Sequence, residues 1–195
     1  MSKALQQKLT ARFGARILAA TSQHGDEAVV VAPADWREVH LFLRDDPSSQ
    51  MQMLIDLCGV DYPDREPRFE VVTHLYSLTK KHRLRVKTAV GDADGDDAVV
   101  DSLLSVWRSA DWMEREAFDM FGVRFAGHPD LRRILTYPEF EGHPLRKDYP
   151  AARTQPLVPY REGAGVQGKL APFGADEGMP FGRQTHGAPG SPEVN

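Results

Sequence analysis

The sequence predicts an α+β fold: a two-layer domain with a mixed β-sheet that contains a hairpin, helices packed on that sheet, and an extended C-terminal arm. The hairpin is predicted by residues 69–78 and 83–90, which alternate and are rich in β-branched and aromatic side chains around a short connection. The helices are predicted by stretches with an apolar side chain every three or four residues. The chain has 195 residues, 41% of them hydrophobic, which is enough for one core of this kind.

The N-terminal 25 residues predict a helix, because Leu5, Leu9, Phe13 and Ile17 recur four apart and form one apolar stripe. The same stretch is basic and has no acidic residue, as organelle transit peptides do. We favour the helix, because the strand-like residues 29–31 follow almost at once and leave no spacer for cleavage. A bacterial protein is expected on the same ground.

The remaining patterns predict further elements: a strand over 28–32, a helix over 36–44, a strand or a helix over 51–57, and helices over 99–107 and 111–121. Asp35 is expected to cap the helix that begins at residue 36. Gly122 is expected to end the last helix, because it suits the left-handed position that follows a helix. Prolines 63 and 67 mark a loop before the hairpin.

The composition changes at residue 151. Residues 151–195 contain six prolines and eight glycines, a content typical of extended chain rather than of a packed domain. The large apolar side chains Tyr160, Phe173 and Phe181 are too widely spaced to form a core. We therefore predict a globular domain over 1–150 and an extended tail over 151–195. Composition leaves open whether the tail docks on another protein or binds nothing.

Charge and cysteine content exclude several classes of protein. A net charge of −4 argues against binding to nucleic acid by phosphate neutralisation. No run of about 18 apolar residues is present, so a membrane-spanning helix is not expected. Cys58 is the only cysteine, and it cannot supply the thiolates of an iron–sulfur cluster or a structural zinc site. If the protein serves a redox process, the redox centre is expected in another polypeptide.

Residues 111–150 hold most of the information, and Glu114 has two interpretations. Asp111 and Glu114 have the spacing of a helix-capping box. Alternatively, the Glu114 carboxylate is buried and pairs with a cation downstream. We hypothesise a partly buried ionic network in this segment, formed by Glu114, Glu116 and Asp119 with Arg132, Arg133, Arg146 and Lys147. We expect Glu114→Gln to weaken assembly with partner proteins.

The tripeptide Gly-His-Pro occurs twice, at residues 127–129 and 142–144. His128 and His143, with Asp130 and Glu141, have the composition of a two-histidine carboxylate metal site. However, neither histidine has a second ligand four residues along a helix, and a following proline forces extended backbone. We therefore favour a role in turns, with metal binding as the alternative.

Three runs in this segment carry a family resemblance: residues 114–122, 127–135 and 142–150. Their charged, turn and interface positions are Glu114, Arg115, Glu116, Asp119, Gly122, His128, Pro129, Asp130, Arg132, Arg133, His143, Pro144, Arg146, Lys147 and Asp148. The runs closely resemble the signature of the C subunit of bacterial proton-pumping NADH–quinone oxidoreductase, respiratory complex I. Residues 1–60 resemble this family only loosely.

The resemblance implies a free-standing, non-redox structural subunit in the peripheral arm of the complex, on the cytoplasmic side of the bacterial inner membrane. Its implied partners are the quinone-site (D) subunit and the iron–sulfur (B and I) subunits, and it would meet the membrane only through the complex. FMN, iron–sulfur clusters and quinone would be bound elsewhere in the complex and no cofactor by this chain. The tail is then expected to dock on a partner subunit.

Three alternatives stay open. The first is the equivalent subunit of a membrane-bound hydrogenase or related ferredoxin-linked complex, which shares this fold and parts of the signature. The complete ending at residues 142–150 favours the NADH–quinone enzyme. The second is a free-standing metal-dependent enzyme that uses His128 and His143, and the third is an adaptor with no tie to respiration.

Overall fold

A computed structural model describes residues 2–156 of the chain. It contains three α-helices, α1 (Ser2–Phe13), α2 (Trp36–Asp45) and α3 (Ala110–Phe121). Its seven strands are β1 (Ile17–Gln23), β2 (Asp26–Val31), β3 (Met53–Asp61), β4 (Phe69–Ser77), β5 (His82–Val90), β6 (Val99–Asp101) and β7 (Arg124–Ala126). Most of the predicted tail, residues 157–195, lies outside the described residues.

Five strands form a mixed sheet in the order β1-β2-β5-β4-β3. Every neighbouring pair is antiparallel except β2 and β5, which run parallel. The predicted hairpin is β4–β5, with Phe69 opposite Val90 and Ser77 opposite His82. The short strands β6 and β7 form a separate parallel pair. The predicted α+β class with a mixed sheet is confirmed.

The three helices pack on one face of the sheet. Leu9 of α1 and Leu43 of α2 belong to the same buried cluster as Val86 of β5. His40 of α2 reaches the sheet directly, with Nε2 2.8 Å from Oγ1 of Thr73. Burial lowers the pKa of His40 to about 4, so this histidine is a neutral core residue at physiological pH.

Helix α3 lies against the edge strand β3 through a close approach at Gly59. A Cβ atom at this position would lie 2.7 Å from Cδ2 of Phe121, closer than real side-chain contacts allow. Ser109, which precedes the helix, donates a hydrogen bond from Oγ to the carbonyl oxygen of Leu54 at 3.3 Å. Glycine in the middle of β3 therefore lets the C-terminal end of α3 settle onto the sheet.

Three predictions about local structure are wrong. The N-terminal helix ends at Phe13, because Gly14 adopts a left-handed conformation with φ of 56°, and Ile17 begins strand β1. Residues 99–107 are not a helix. Val99 and Val100 are β-branched and pair with β7, and turns follow. Asp35 does not cap α2, because its carboxylate accepts a hydrogen bond from Nε of Arg16 at 2.6 Å.

The other elements match their predictions. Residues 51–57, for which a strand and a helix were both open, belong largely to strand β3. Gly122 ends α3 in the left-handed conformation, with φ of 85°. Within residues 2–156, the helices are all too short or too polar to cross a lipid bilayer.

We expect Gly59→Ala to destabilise the domain by about 1–3 kcal/mol, because the added methyl group overlaps the ring of Phe121. Urea denaturation of the full chain measures this loss. In a Phe121→Leu background the same substitution should cost clearly less, since the clashing ring is gone. Equal costs in both backgrounds would contradict this account of α3 packing.

Candidate functional site

The segment from Gly122 to Pro156 has little regular structure, and side-chain hydrogen bonds hold it against α3. Helix α3 carries two carboxylates that are completely buried, Glu114 and Asp119. Each of them binds a different part of the chain. The site is therefore built around the two acidic side chains of one helix.

Asp119 holds the loop that follows β7. One oxygen, Oδ2, accepts hydrogen bonds from the successive backbone N–H groups of residues 134, 135 and 136, at 3.1, 2.9 and 2.8 Å. The other oxygen, Oδ1, accepts from Oγ1 of Thr136 at 2.5 Å and from Nη1 of Arg133 at 2.7 Å. Burial by itself raises the pKa of Asp119, but the bonds from Thr136, Arg133 and Leu135 outweigh it and lower the pKa to about 2. The carboxylate is therefore charged and fully paired.

Glu114 is the second buried carboxylate, and its partners differ from the predicted ones. Oε2 accepts a hydrogen bond from Oγ of Ser102 at 2.7 Å, and Oε1 accepts one from the N–H of Leu103 at 2.6 Å. The predicted partners Arg132, Arg133, Arg146 and Lys147 make other contacts. The capping-box interpretation is also wrong, because the helix begins at Ala110 and the cap position is Ser109.

No cation neutralises Glu114 within the described residues. Burial raises the pKa of Glu114 to about 7, with a smaller contribution from Asp111 and against the hydrogen bonds from Ser102 and Leu103. Nε2 of His128 lies 4.0 Å from Oε2 of Glu114. The Nδ1 atom of this histidine accepts a hydrogen bond from the N–H of Asp130 at 3.1 Å, which assigns the proton of the neutral ring to Nε2.

The C-terminal end of α3 binds the second Gly-His-Pro turn. Nδ1 of His143 donates to the carbonyl oxygen of Asp119 at 2.9 Å, and Nε of Arg146 donates to that of Phe121 at 2.6 Å. These carbonyls belong to the last turn of the helix, where no intrahelical partner is available. A Cβ atom at Gly122 would lie 2.8 Å from the ring of His143. Glycine is therefore required here both by the backbone conformation and by the side chains packed on it.

A third anchor, formed by Asp61 and Arg68, lies outside the predicted segment. These two buried residues form a two-point ion pair of 2.8 and 2.9 Å between the end of β3 and the start of β4. Asp61 also accepts a hydrogen bond from the N–H of Lys147 at 2.7 Å, and Arg68 pairs with Asp148 at 2.9 Å. Arg68 is the main cause that holds the pKa of Asp61 below its usual range. This pair was not predicted from the sequence, although an acidic residue at an inward-facing position of a strand indicates a buried partner.

The remaining signature residues lie near the surface. Arg115 donates to the carbonyl oxygens of Arg132 and Arg133, both at 3.1 Å. Arg132 pairs with the exposed Asp130 at 2.9 Å, and Glu116 is exposed. Of the hypothesised ionic network, the side chains of Asp119 and Arg133 are thus brought together, whereas Glu114, Glu116 and Lys147 form no such pair within residues 2–156.

The two histidines of the metal-site alternative bind different backbone carbonyls. Nε2 of His128 lies 3.3 Å from the carbonyl oxygen of Asp111, and His143 binds that of Asp119. Eight residues of helix separate these carbonyls, about 12 Å along its axis. Among residues 2–156 no group of three or more potential ligands is arranged to hold a metal ion. The pKa of Cys58 is raised to about 11, mainly by burial, so its thiol is not an activated nucleophile.

The outward side of α3 presents an apolar groove of about 630 Å³. We call it the α3 groove, and its lining includes Trp112, Met113, Ile134 and Leu135. Trp112 is 70% exposed and Leu135 is 64% exposed, so two large apolar side chains of the same groove face solvent. The anchors at Asp119 fix residues 134–136 and therefore fix one wall of the groove. Trp112 was not identified from the sequence, although it lies outside the core stripe of its helix.

Residues 29–155 match the family model of the respiratory-chain NADH dehydrogenase 30 kDa subunit. The chain is 48% identical over 154 residues to the C subunit of NADH-quinone oxidoreductase from Burkholderia multivorans, an alignment that covers 76% of each protein. It is 46% identical over 169 residues to the C 2 subunit of NADH-quinone oxidoreductase from Rhizobium etli, covering 87% of this chain and 81% of that protein. The chain belongs to this family. The family resemblance predicted from the three signature runs of this chain is confirmed.

A solved structure shares the fold of this member of the 30 kDa subunit family. It is a chain of the membrane-bound sulfane sulfur reductase, an archaeal respiratory membrane complex, with a TM-score of 0.64 and 22% identity. The match covers 77% of this chain and 86% of the archaeal one. At this identity the match supports the architecture alone.

We expect Glu114→Gln to stabilise the domain above neutral pH. The prediction from sequence concerns a different property, the assembly of the chain with partner proteins. The folded-state pKa of about 7 lies above the ordinary value of 4.5, so the native state binds more protons than the unfolded state between these values. The contribution of Glu114 to stability is therefore full below about pH 4.5 and is lost as the pH rises through 7, by about 3 kcal/mol in total.

Unfolding free energies of the wild type and of Glu114→Gln between pH 5 and pH 8.5 test this expectation. The difference between the two unfolding free energies isolates the effect of ionising Glu114, because His40 and His143 titrate in both proteins. A difference that does not change with pH would contradict the assignment.

We expect Asp119→Ala to destabilise the domain by about 3–5 kcal/mol, because the partly buried guanidinium of Arg133 and three N–H groups lose their acceptor. Amide hydrogen exchange of residues 134–136 should accelerate well before the rest of the fold opens. Asp130→Ala is the matched control, since it removes an exposed acid from the same segment and should change little. Similar effects of the two substitutions would refute the anchor role of Asp119.

Proposed function

We propose that the chain is a non-redox structural subunit of proton-translocating NADH–quinone oxidoreductase, which passes electrons from NADH through FMN and iron–sulfur clusters to quinone. In this role the chain holds the subunits that form the quinone site. The observation that carries the proposal is the family match over residues 29–155, which includes the complete signature segment.

The direction in which the signature side chains point supports a bracing role. The charged groups of Asp119, Arg133 and Arg146 point inward, where they hold loops on α3. The apolar side chains of Trp112 and Leu135 are exposed to solvent. Rigid loops that present an apolar surface are the usual anatomy of a protein interface. Catalysis and electron transfer depend on groups held to fractions of an ångström, which such a brace provides.

The proposed partners are the quinone-site (D) subunit and the iron–sulfur (B and I) subunits, with residues 151–195 docked along a partner subunit. The proposed location is the peripheral arm, on the cytoplasmic side of the bacterial inner membrane. In this proposal the chain binds no cofactor, which agrees with a sequence that contains a single cysteine.

The equivalent subunit of a hydrogenase-type membrane complex is the second candidate. It is compatible with the fold shared with a chain of the archaeal sulfane sulfur reductase complex. The identities of 46% and 48% to NADH-quinone oxidoreductase subunits favour the first proposal.

We expect Trp112→Ala combined with Leu135→Asp to reduce incorporation of the chain into the NADH-oxidising complex at least about tenfold, because the substitutions remove the exposed apolar wall and add a charge. Native electrophoresis of detergent-solubilised membranes, probed for the chain and stained for NADH dehydrogenase activity, measures incorporation. The activity of each assembled complex should stay close to that of the wild type.

Leu78→Asp is the control, because Leu78 is 56% exposed in the hairpin connection, far along the chain from the α3 groove. Mass spectrometry of the wild-type assembly identifies the neighbouring subunits and so separates the two candidate complexes. Normal incorporation of the double variant would refute docking through the α3 groove, and a wild-type chain that migrates alone would refute the proposed function.

A further inference from the structure

The free edge of the five-stranded sheet is strand β1. Its pairing with β2 is irregular between Ile17 and Ala19, but from Ala19 to Gln23 the strand lacks the features that normally protect an edge. Six of its seven residues are exposed, and its sequence from Ile17 to Gln23 contains no charged residue and no proline. An exposed strand edge offers unpaired N–H and C=O groups to another strand, and proteins usually block it with charges or proline. β1 is therefore open to strand addition.

The opposite edge of the same sheet is covered. Within β3, the carbonyl oxygen of Leu54 accepts a hydrogen bond from Oγ of Ser109, and just before the strand that of Met51 accepts one from Nε1 of Trp107 at 3.1 Å. Strand β3 also carries acidic side chains at Asp56 and Asp61. The two edges thus differ: β3 packs against α3 and carries acidic side chains, whereas β1 has no charged side chain from Ala19 to Gln23.

A groove of about 400 Å³ runs beside the β1 edge, between β1 and helix α1. We call it the edge slot, and it is lined by Gln6, Gln7, Thr10, Ala11 and Ala20. None of these side chains is charged, and all but the two glutamines are small. An added strand would direct alternate side chains into this slot.

The walls of the edge slot are held at a fixed separation. Nε2 of Gln6 donates hydrogen bonds to the carbonyl oxygens of Thr21, at 2.9 Å, and of Ala28, at 3.0 Å. The same helix packs its apolar residues Leu5 and Leu9 into the core. The slot is therefore preformed, which lowers the entropic cost of binding.

We propose that β1 pairs with a strand of a partner subunit, one with small uncharged side chains facing the edge slot and an acidic residue near Lys3. Lys3 is exposed, lies one helical turn before Gln7, and has no ion pair among the described residues. The partner is a subunit of the same enzyme, so this inference rests on the proposed function. β1 precedes residue 29, where the family match begins, so the strand proposal can fail while the proposed function stands.

The charge of α1 disfavours a second copy of this chain as the occupant. Helix α1 contains Lys3, Lys8 and Arg12 and no acidic residue. Lys8 is paired with Asp46 at 2.6 Å, whereas Lys3 and Arg12 have no ion pair among the described residues. Pairing of two β1 strands around a two-fold axis would bring two such helices together, with like charges facing across the interface. A partner with acidic residues is complementary to the same surface.

Hydrogen exchange tests the proposal on the full chain, alone and in the assembled complex. Alternate N–H groups of β1 already bond to β2, so we expect only the outward-pointing amides among residues 18–22 to exchange at least about tenfold more slowly in the complex, because added-strand hydrogen bonds protect them. Unchanged exchange of these amides in a complex that contains the chain would overturn the strand proposal and leave the proposed function intact. A chain that enters no complex would overturn both.

Matched variants test the edge slot. Ala20 faces the slot and Ala19 faces the other side of the sheet, and both are exposed. Ala20→Lys should remove the protection of residues 18–22 in the complex, and Ala19→Lys should keep most of it. Equal protection in the two variants would overturn the proposed role of the edge slot in binding the added strand.

A benzophenone cross-linker at Ser22 identifies the occupant. The expected product is a cross-link from the assembled complex to a different subunit. Two outcomes would overturn the proposal. One is a cross-link to a second copy of this chain, and the other is the absence of any cross-link from Ser22 when the same cross-linker placed at Trp112 does react.

Discussion

The buried carboxylate of Asp119 is the constraint on which the shape of the signature segment depends. A carboxylate cannot stay charged inside a protein without compensating donors, and the loop after β7 supplies them as three consecutive N–H groups and the guanidinium of Arg133. Satisfying this one group fixes residues 133–136, and with them the wall of the α3 groove. An irregular segment thereby becomes a surface of defined form.

Glu114 and Asp119 show how strongly the immediate donors determine the state of a buried acid. They lie five residues apart on one helix and are equally inaccessible, yet the pKa of one is raised to about 7 and that of the other lowered to about 2. Glu114 has two neutral donors, whereas Asp119 has five hydrogen bonds, one of them from a guanidinium. Helix α3 thus binds the residues just after β6 through a group that titrates and the signature loop through one that stays charged.

Local signals in the sequence were sufficient for the hairpin β4–β5 and for α3, because alternation and helical periodicity extend over many residues there. They failed at residues 99–107, where Val99 and Val100 pair with a strand more than twenty residues away. The anchors were only partly predictable. Asp119 and Arg133 were named as partners, but the ligands of Glu114 are a serine and a backbone N–H, which no charge pattern reveals. The α3 groove forms only after distant segments meet.

The parallel pair β2–β5 joins two parts of the sheet that are each local in sequence: the β1–β2 ribbon and the β3–β4–β5 meander. During synthesis the ribbon is complete by residue 31, but its central neighbour is not finished until residue 90. Both edges of the completed ribbon are therefore unpaired while some sixty further residues are translated, which takes about 3–12 seconds. We expect the nascent chain to be most prone to aggregation, and most in need of chaperones, during that interval.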